Sequence, residues 1–65
     1  MTYIVHTFTT TFEPIVVGVA SDLNAAKALL RDGVFQLEED ADYPDCFDGI
    51  TNRGEVFTIR PKQSS

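Results

Sequence analysis

Residues 21–41 read "SDLNAAKALLRDGVFQLEEDA", and the reading of this stretch decides the fold. Its first half is helical in character. Ser21 or Asp22 supplies an N-cap, since either side chain accepts from a free amide of the first turn. Ala25, Ala26, Lys27, Ala28, Leu29, Leu30 and Arg31 all favour helix. Leu23, Ala26, Leu30, Val34, Leu37 and Ala41 then step by three or four residues, and this stripe passes through Gly33 without losing phase. An interior Gly costs only about 1 kcal/mol relative to Ala. We therefore read one long helix over 22–41, with room for a kink at Gly33. A competing reading ends the helix at Gly33, in the left-handed position after a helix C-terminus. It makes "VFQLE" (34–38) a short strand.

Strands flank this region. In "YIVHTFTTTF" (3–12), Ile4, His6, Phe8, Thr10 and Phe12 fall on one face at period two, and Tyr3, Val5, Thr7, Thr9 and Thr11 on the other. Glu13-Pro14 interrupts, because proline cannot donate to a ladder. "IVVGVA" (15–20) follows as a second strand, with Gly18 marking a bulge or a close approach. Tyr43-Pro44-Asp45 breaks any helix. "CFDGIT" and "EVFTIR" are two more strands, joined through Asn52-Arg53-Gly54, which tolerates the positive φ of a tight hairpin. The expected fold is α+β, in the order ββαββ. It is an antiparallel sheet with one long helix on one face. The expected core set is Ile4, Phe8, Val17, Val19, Leu23, Leu30, Val34, Leu37, Val56 and Ile59. Residues 1–61 form one small domain, and 62–65 a frayed polar tail.

The chain has 65 residues, and its core is correspondingly marginal. Its single cysteine, Cys46, cannot form an intramolecular disulfide and fits a reducing cytoplasm. The N-terminus has no signal-peptide pattern, and no apolar run approaches the roughly 18 residues that span a bilayer. We expect a cytoplasmic protein. Ten acids against five bases give a net charge of −5, in a chain that is 43% hydrophobic. That is too apolar for a disordered acidic tail. The field repels nucleic acid and anionic membranes and attracts basic surfaces.

Candidate chemistry is sparse. His6 is the sole histidine, and no nucleophile motif surrounds Ser21, Ser64, Ser65 or Cys46. We read His6 as structural. The acids around Cys46 oppose thiolate formation. "DADYPDCFDG" fails the calcium-loop pattern: Pro44 stands at the fifth position, Asp45 where glycine is needed, and Thr51 at the twelfth. A glycosidase carboxylate pair would lack a cleft in so small a domain. No phosphate-binding glycine loop is present. No enzyme activity, metal or cofactor is expected.

The anomaly is "EEDADYPDCFD" (38–48), with six carboxylates and no base in eleven positions. Carboxylates at a helix C-terminus oppose the macrodipole, so a function is one reason to keep them there. Glu38, Glu39, Asp40, Asp42, Asp45 and Asp48 are the candidate partner-binding surface, with Tyr43 and Phe47 as aromatic anchors. Such a surface suits a Lys/Arg-lined groove built for nucleic acid. The plainer reading is a solubilising face.

The succession "YIVHTF…IVVGVAS", "SDLNAAKALLRD", "DYPDCFDGI" and "EVFTIRP" resembles small acidic proteins of phages and mobile elements, anti-CRISPR inhibitors among them. The resemblance covers most of the chain. It implies a DNA mimic that blocks target loading by a type I (Cascade) effector. The partner would be a basic surface of a Cas subunit, engaged by a monomer or weak homodimer, with no direct contact to nucleic acid or membrane. The alternative is a small structural or adaptor domain of a phage or bacterium that self-associates through an exposed sheet edge.

Overall fold

A computed structural model describes residues 1–62. The elements are β1 (Tyr3–Phe8), β2 (Pro14–Ala20), α1 (Leu23–Ala28), β3 (Val34–Glu39), β4 (Phe47–Thr51) and β5 (Val56–Pro61). The five strands form one antiparallel sheet in the order β2-β1-β5-β4-β3. The α+β expectation with one long helix is therefore wrong. The protein is mostly antiparallel sheet, and α1 is only six residues long.

The start of α1 follows its sequence. Asp22 is extended (φ −151°) and its carboxylate accepts from the Ala25 N–H at 2.7 Å. Its end lies well short of 41. The Leu29 and Leu30 amides bond to carbonyls three residues back, which tightens the last turn. Gly33 then adopts φ +82°, a left-handed conformation that costs glycine nothing. It closes a turn over residues 30–33, its N–H donating to the Leu30 carbonyl at 2.9 Å, and the chain enters β3.

The stripe that suggested a longer helix has a physical origin. β3 and β4 slip register between Val34 and Gln36, so Phe35 is an extra residue. The bulge brings Val34 and Leu37 onto the same face at a spacing of three, and both pack against the core. A bulged strand thus reproduces a helical interval. The competing reading of 34–38 as a strand matches the structure.

The core lies between α1 and one sheet face. Val5, Ala26, Phe57 and Ile59 are fully buried, with Tyr3, Ala20 and Leu30 nearly so. Each large buried side chain contributes about 1.5–3 kcal/mol. The cross-strand rows on this face run Gly18–Val5–Ile59–Phe47 and Thr7–Phe57–Gly49–Leu37. The expected core set is corrected accordingly. Leu30 and Ile59 are buried, and Leu23, Val34 and Leu37 pack at the core margin. Ile4 and Phe8 are half-buried on the opposite face, while Val17, Val19 and Val56 are exposed. In β1 it is the Tyr3/Val5 face that turns inward.

The loops complete the frame. β1 ends at Phe8, not 12. The Thr9 hydroxyl accepts from the Thr11 and Glu13 amides, and Phe12 takes φ +63°. At the tail, the Lys62 N–H bonds to the Thr2 carbonyl at 2.7 Å. The rest of the expected frayed tail, 63–65, lies outside the described residues.

Gly49 is the tightest point of the sheet. A Cβ there would collide with the Gln36 carbonyl oxygen and the Phe57 ring. Gly49→Ala is expected to cost about 3 kcal/mol through overpacking, a large share of the roughly 3–10 kcal/mol expected for a chain this size. Gly54→Ala, at φ +84° with no neighbour within 4 Å, should cost only about 1 kcal/mol. Denaturant unfolding of the two variants checks the order.

Candidate acidic interface

The acidic stretch forms the β3–β4 hairpin, not a helix end. Strand pairing sets Glu38 opposite Asp48 and Glu39 opposite Phe47. The Asp40 N–H donates to the Cys46 carbonyl at 2.8 Å and closes the loop. Inside it, the Asp40 carboxylate accepts from the Asp42 N–H at 2.8 Å, a local turn typical of aspartate. Tyr43-Pro44-Asp45-Cys46 makes a second turn. The Cys46 N–H reaches the Tyr43 carbonyl at 3.3 Å, and Asp45 sits at φ +65°. Proline followed by a left-handed residue is the type II arrangement.

Strand alternation divides the six carboxylates into three groups. Glu38 and Asp48 share the sheet face away from α1. Asp48 accepts from Arg60 at 2.7 Å, and the same guanidinium donates to the Phe47 carbonyl at 2.7 Å. Glu38 accepts from Gln36 at 3.0 Å. Glu39 and Asp45 lie towards the helix side, where the Asp45 N–H donates to Glu39 at 3.3 Å. Asp40 and Asp42 occupy the loop. Of the two proposed anchors, Tyr43 is 66% exposed, whereas Phe47 packs against the core.

Two residues join this end that the sequence reading had not placed there. Tyr3 pairs with Ala20, so the start of β1 and the end of β2 meet beside the hairpin. The Tyr3 hydroxyl donates to Asp45 at 3.5 Å, a long bond. Burial of Tyr3 pushes its pKa above the ordinary 10.0, and the charges of Asp45, Glu39 and Asp22 and the Asp45 hydrogen bond add to this. Asp22, read only as a cap, is thus part of the same acidic field. Strand direction is the signal that reveals it, and the direction is known only once pairing is known.

Topology separates the charges along the strands. At the end holding the β3–β4 hairpin, the α1 start and the β5 finish lie seven acids and two bases. The acids are Asp22, Glu38, Glu39, Asp40, Asp42, Asp45 and Asp48, and the bases are Arg60 and Lys62. At the other end Glu13, Asp32 and Glu55 balance Lys27, Arg31 and Arg53, with Arg53 placed 4.0 Å from Asp32. The whole side-chain net charge of −5 belongs to one end.

Other candidates stay apart. His6 is mid-strand in β1, opposite Val16 and Thr58. Cys46 is half-buried in the hairpin. Among the described residues no three His, Cys, Asp or Glu side chains converge as metal ligands. Among the described residues, too, no helix is long and apolar enough to cross a membrane.

Because the phenol is held neutral in the fold, Tyr3 favours folding below pH 10.0, its ordinary value, and that contribution is lost as the pH rises through its raised value. In a Tyr43→Phe background, phenolate absorbance should therefore appear above the ordinary tyrosine range. Thermal stability should fall over the same interval, and less so in Tyr3→Phe. Titration at or below 10.0 would contradict this account.

Comparison with known proteins returns no family model, no curated protein and no solved structure that matches the chain.

Proposed function

We propose that this protein is a non-enzymatic inhibitor whose acidic end occupies a basic nucleic-acid groove on another protein, as a DNA mimic. The observation that supports it is the gathering of the entire net charge at one end of the fold. A field concentrated this way steers encounter with a basic surface and repels nucleic acid itself. Glu38, Glu39, Asp42 and the exposed Tyr43 ring are the groups best placed for contact. The target class follows from the pattern resemblance: a Cas subunit of a type I effector, met in the host cytoplasm.

A second reading has its own support. Asp48 is engaged by Arg60, and Asp40 and Glu39 bond amides of their own loop. In that reading the carboxylates shape and solubilise the hairpin of a structural or adaptor domain.

One variant separates the two. Changing Glu38 and Glu39 to Gln, and Asp40 and Asp42 to Asn, removes four charges and leaves an amide oxygen to accept each loop bond. The inhibitor reading expects affinity for a purified type I effector to fall about a hundredfold at low salt, at roughly 0.5–1 kcal/mol per interfacial charge. Wild-type binding should itself weaken steeply as salt rises. Undiminished inhibition by the folded variant leaves only the structural reading.

A further inference from the structure

We propose that the free edge of β2 is a self-association surface, and that a second copy of this chain pairs with it antiparallel across a twofold axis. This goes beyond the inhibitor reading, because it uses a different edge of the sheet and a different force. The sheet ends in β2 on one side and β3 on the other. The two edges are protected differently. Both edge strands carry a bulge, at Phe35 in β3, but β3 also ends in Glu38-Glu39, whose charges discourage pairing. β2 reads "PIVVGVA", with a bulge at Val17, a proline at its first residue and no charge. Ile15, Val16 and Val19 are 51%, 58% and 47% exposed. An apolar edge of this kind is a template for another strand.

The edge itself is uncharged, and the charge distribution elsewhere sets the direction in which a second copy pairs. Pro14 of β2 lies at the balanced end of the molecule, and Ala20 at the acidic end. Antiparallel pairing sets the balanced end of one copy beside the acidic end of the other. Lys27, Arg31 and Arg53 of each copy then share a half with its partner's carboxylates, and the two acidic ends occupy opposite corners. Parallel β2 pairing brings the two acidic ends together, and pairing through β3 places Glu38 and Glu39 in the interface. A twofold interface presents the same patch from both sides. Here that patch sets Val and Ile against Val and Ile, a favourable cross-strand combination.

The test uses the full chain. Sedimentation velocity across roughly a hundredfold range of concentration should show a monomer–dimer equilibrium. Hydrogen exchange at the high end should slow at β2 amides and not at β3. Added salt should leave the dimer intact or tighten it, because the copies carry like net charge. Val16→Lys with Val19→Lys should weaken dimerisation about tenfold or more by setting like charges opposite one another. Circular dichroism checks that this variant folds, and the wild-type exchange pattern decides the matter if it does not. A monomer at every concentration overturns the proposal. So does a dimer whose protection falls on β3, or on β4 and β5 without β2.

Discussion

The fold depends on the left-handed turn at Gly33. Its φ of +82° closes the turn that follows α1 and carries the chain into the sheet. The turn is also docked. The Asn52 N–H donates to the Gly33 carbonyl at 3.1 Å, and the Asn52 side chain donates to the Asp32 carbonyl at 2.9 Å. A Cβ at position 33 would stand 2.6 Å from that side-chain nitrogen. Helix end, β3 entry and β4–β5 turn are thus fastened at one point. The position requires glycine both for its conformation and for its space. Everything on the far side of it follows: β3 joins β4, and its two glutamates reach the hairpin at the opposite end.

With so short a helix, burial is one-sided. The helix covers β1 and β2, and the deepest side chains, Val5, Phe57 and Ile59, lie on the strands at the sheet centre. The other sheet face keeps Ile4, Phe8 and Ile50 half-buried and leaves Val16, Val19 and Val56 exposed. An antiparallel sheet tolerates one wet face, though this one is more apolar than solvation alone requires. The Gly49–Phe57 contact shows how tightly the covered side is packed.

How much of this the sequence disclosed depended on the range of the interaction. The Asp22 cap and the Asn52–Gly54 turn are local, and their chemistry was legible. The β3 bulge was not, because it depends on the partner strand. It placed Val34 and Leu37 three apart on one face, which is also the helical interval. The inward face of β1 was equally hidden. Tyr3, Val5 and Thr7 alternate with Ile4, His6 and Phe8, and both sets are apolar enough to face a core. The six carboxylates of the candidate surface were visible at once. Their division into a pair on the sheet face away from α1, a pair on the Tyr3 side and a loop pair required strand pairing and register.

Strand direction has a further effect. In a hairpin-built sheet every connection falls at one end or the other, so residues distant in sequence collect at the same end. Here Asp22, after β2, joins the 38–48 stretch because β2 and β3 finish at the same end, while Arg31, Asp32 and Arg53 collect opposite them. The outcome is a molecule with one strongly anionic end, one balanced end and one uncharged edge. Forces at the anionic end are long-ranged and screened by salt. Those at the β2 edge are short-ranged backbone pairing and apolar burial, which salt does not weaken. Because antiparallel β2 pairing keeps the two anionic ends at opposite corners, a dimer would leave both available to partners.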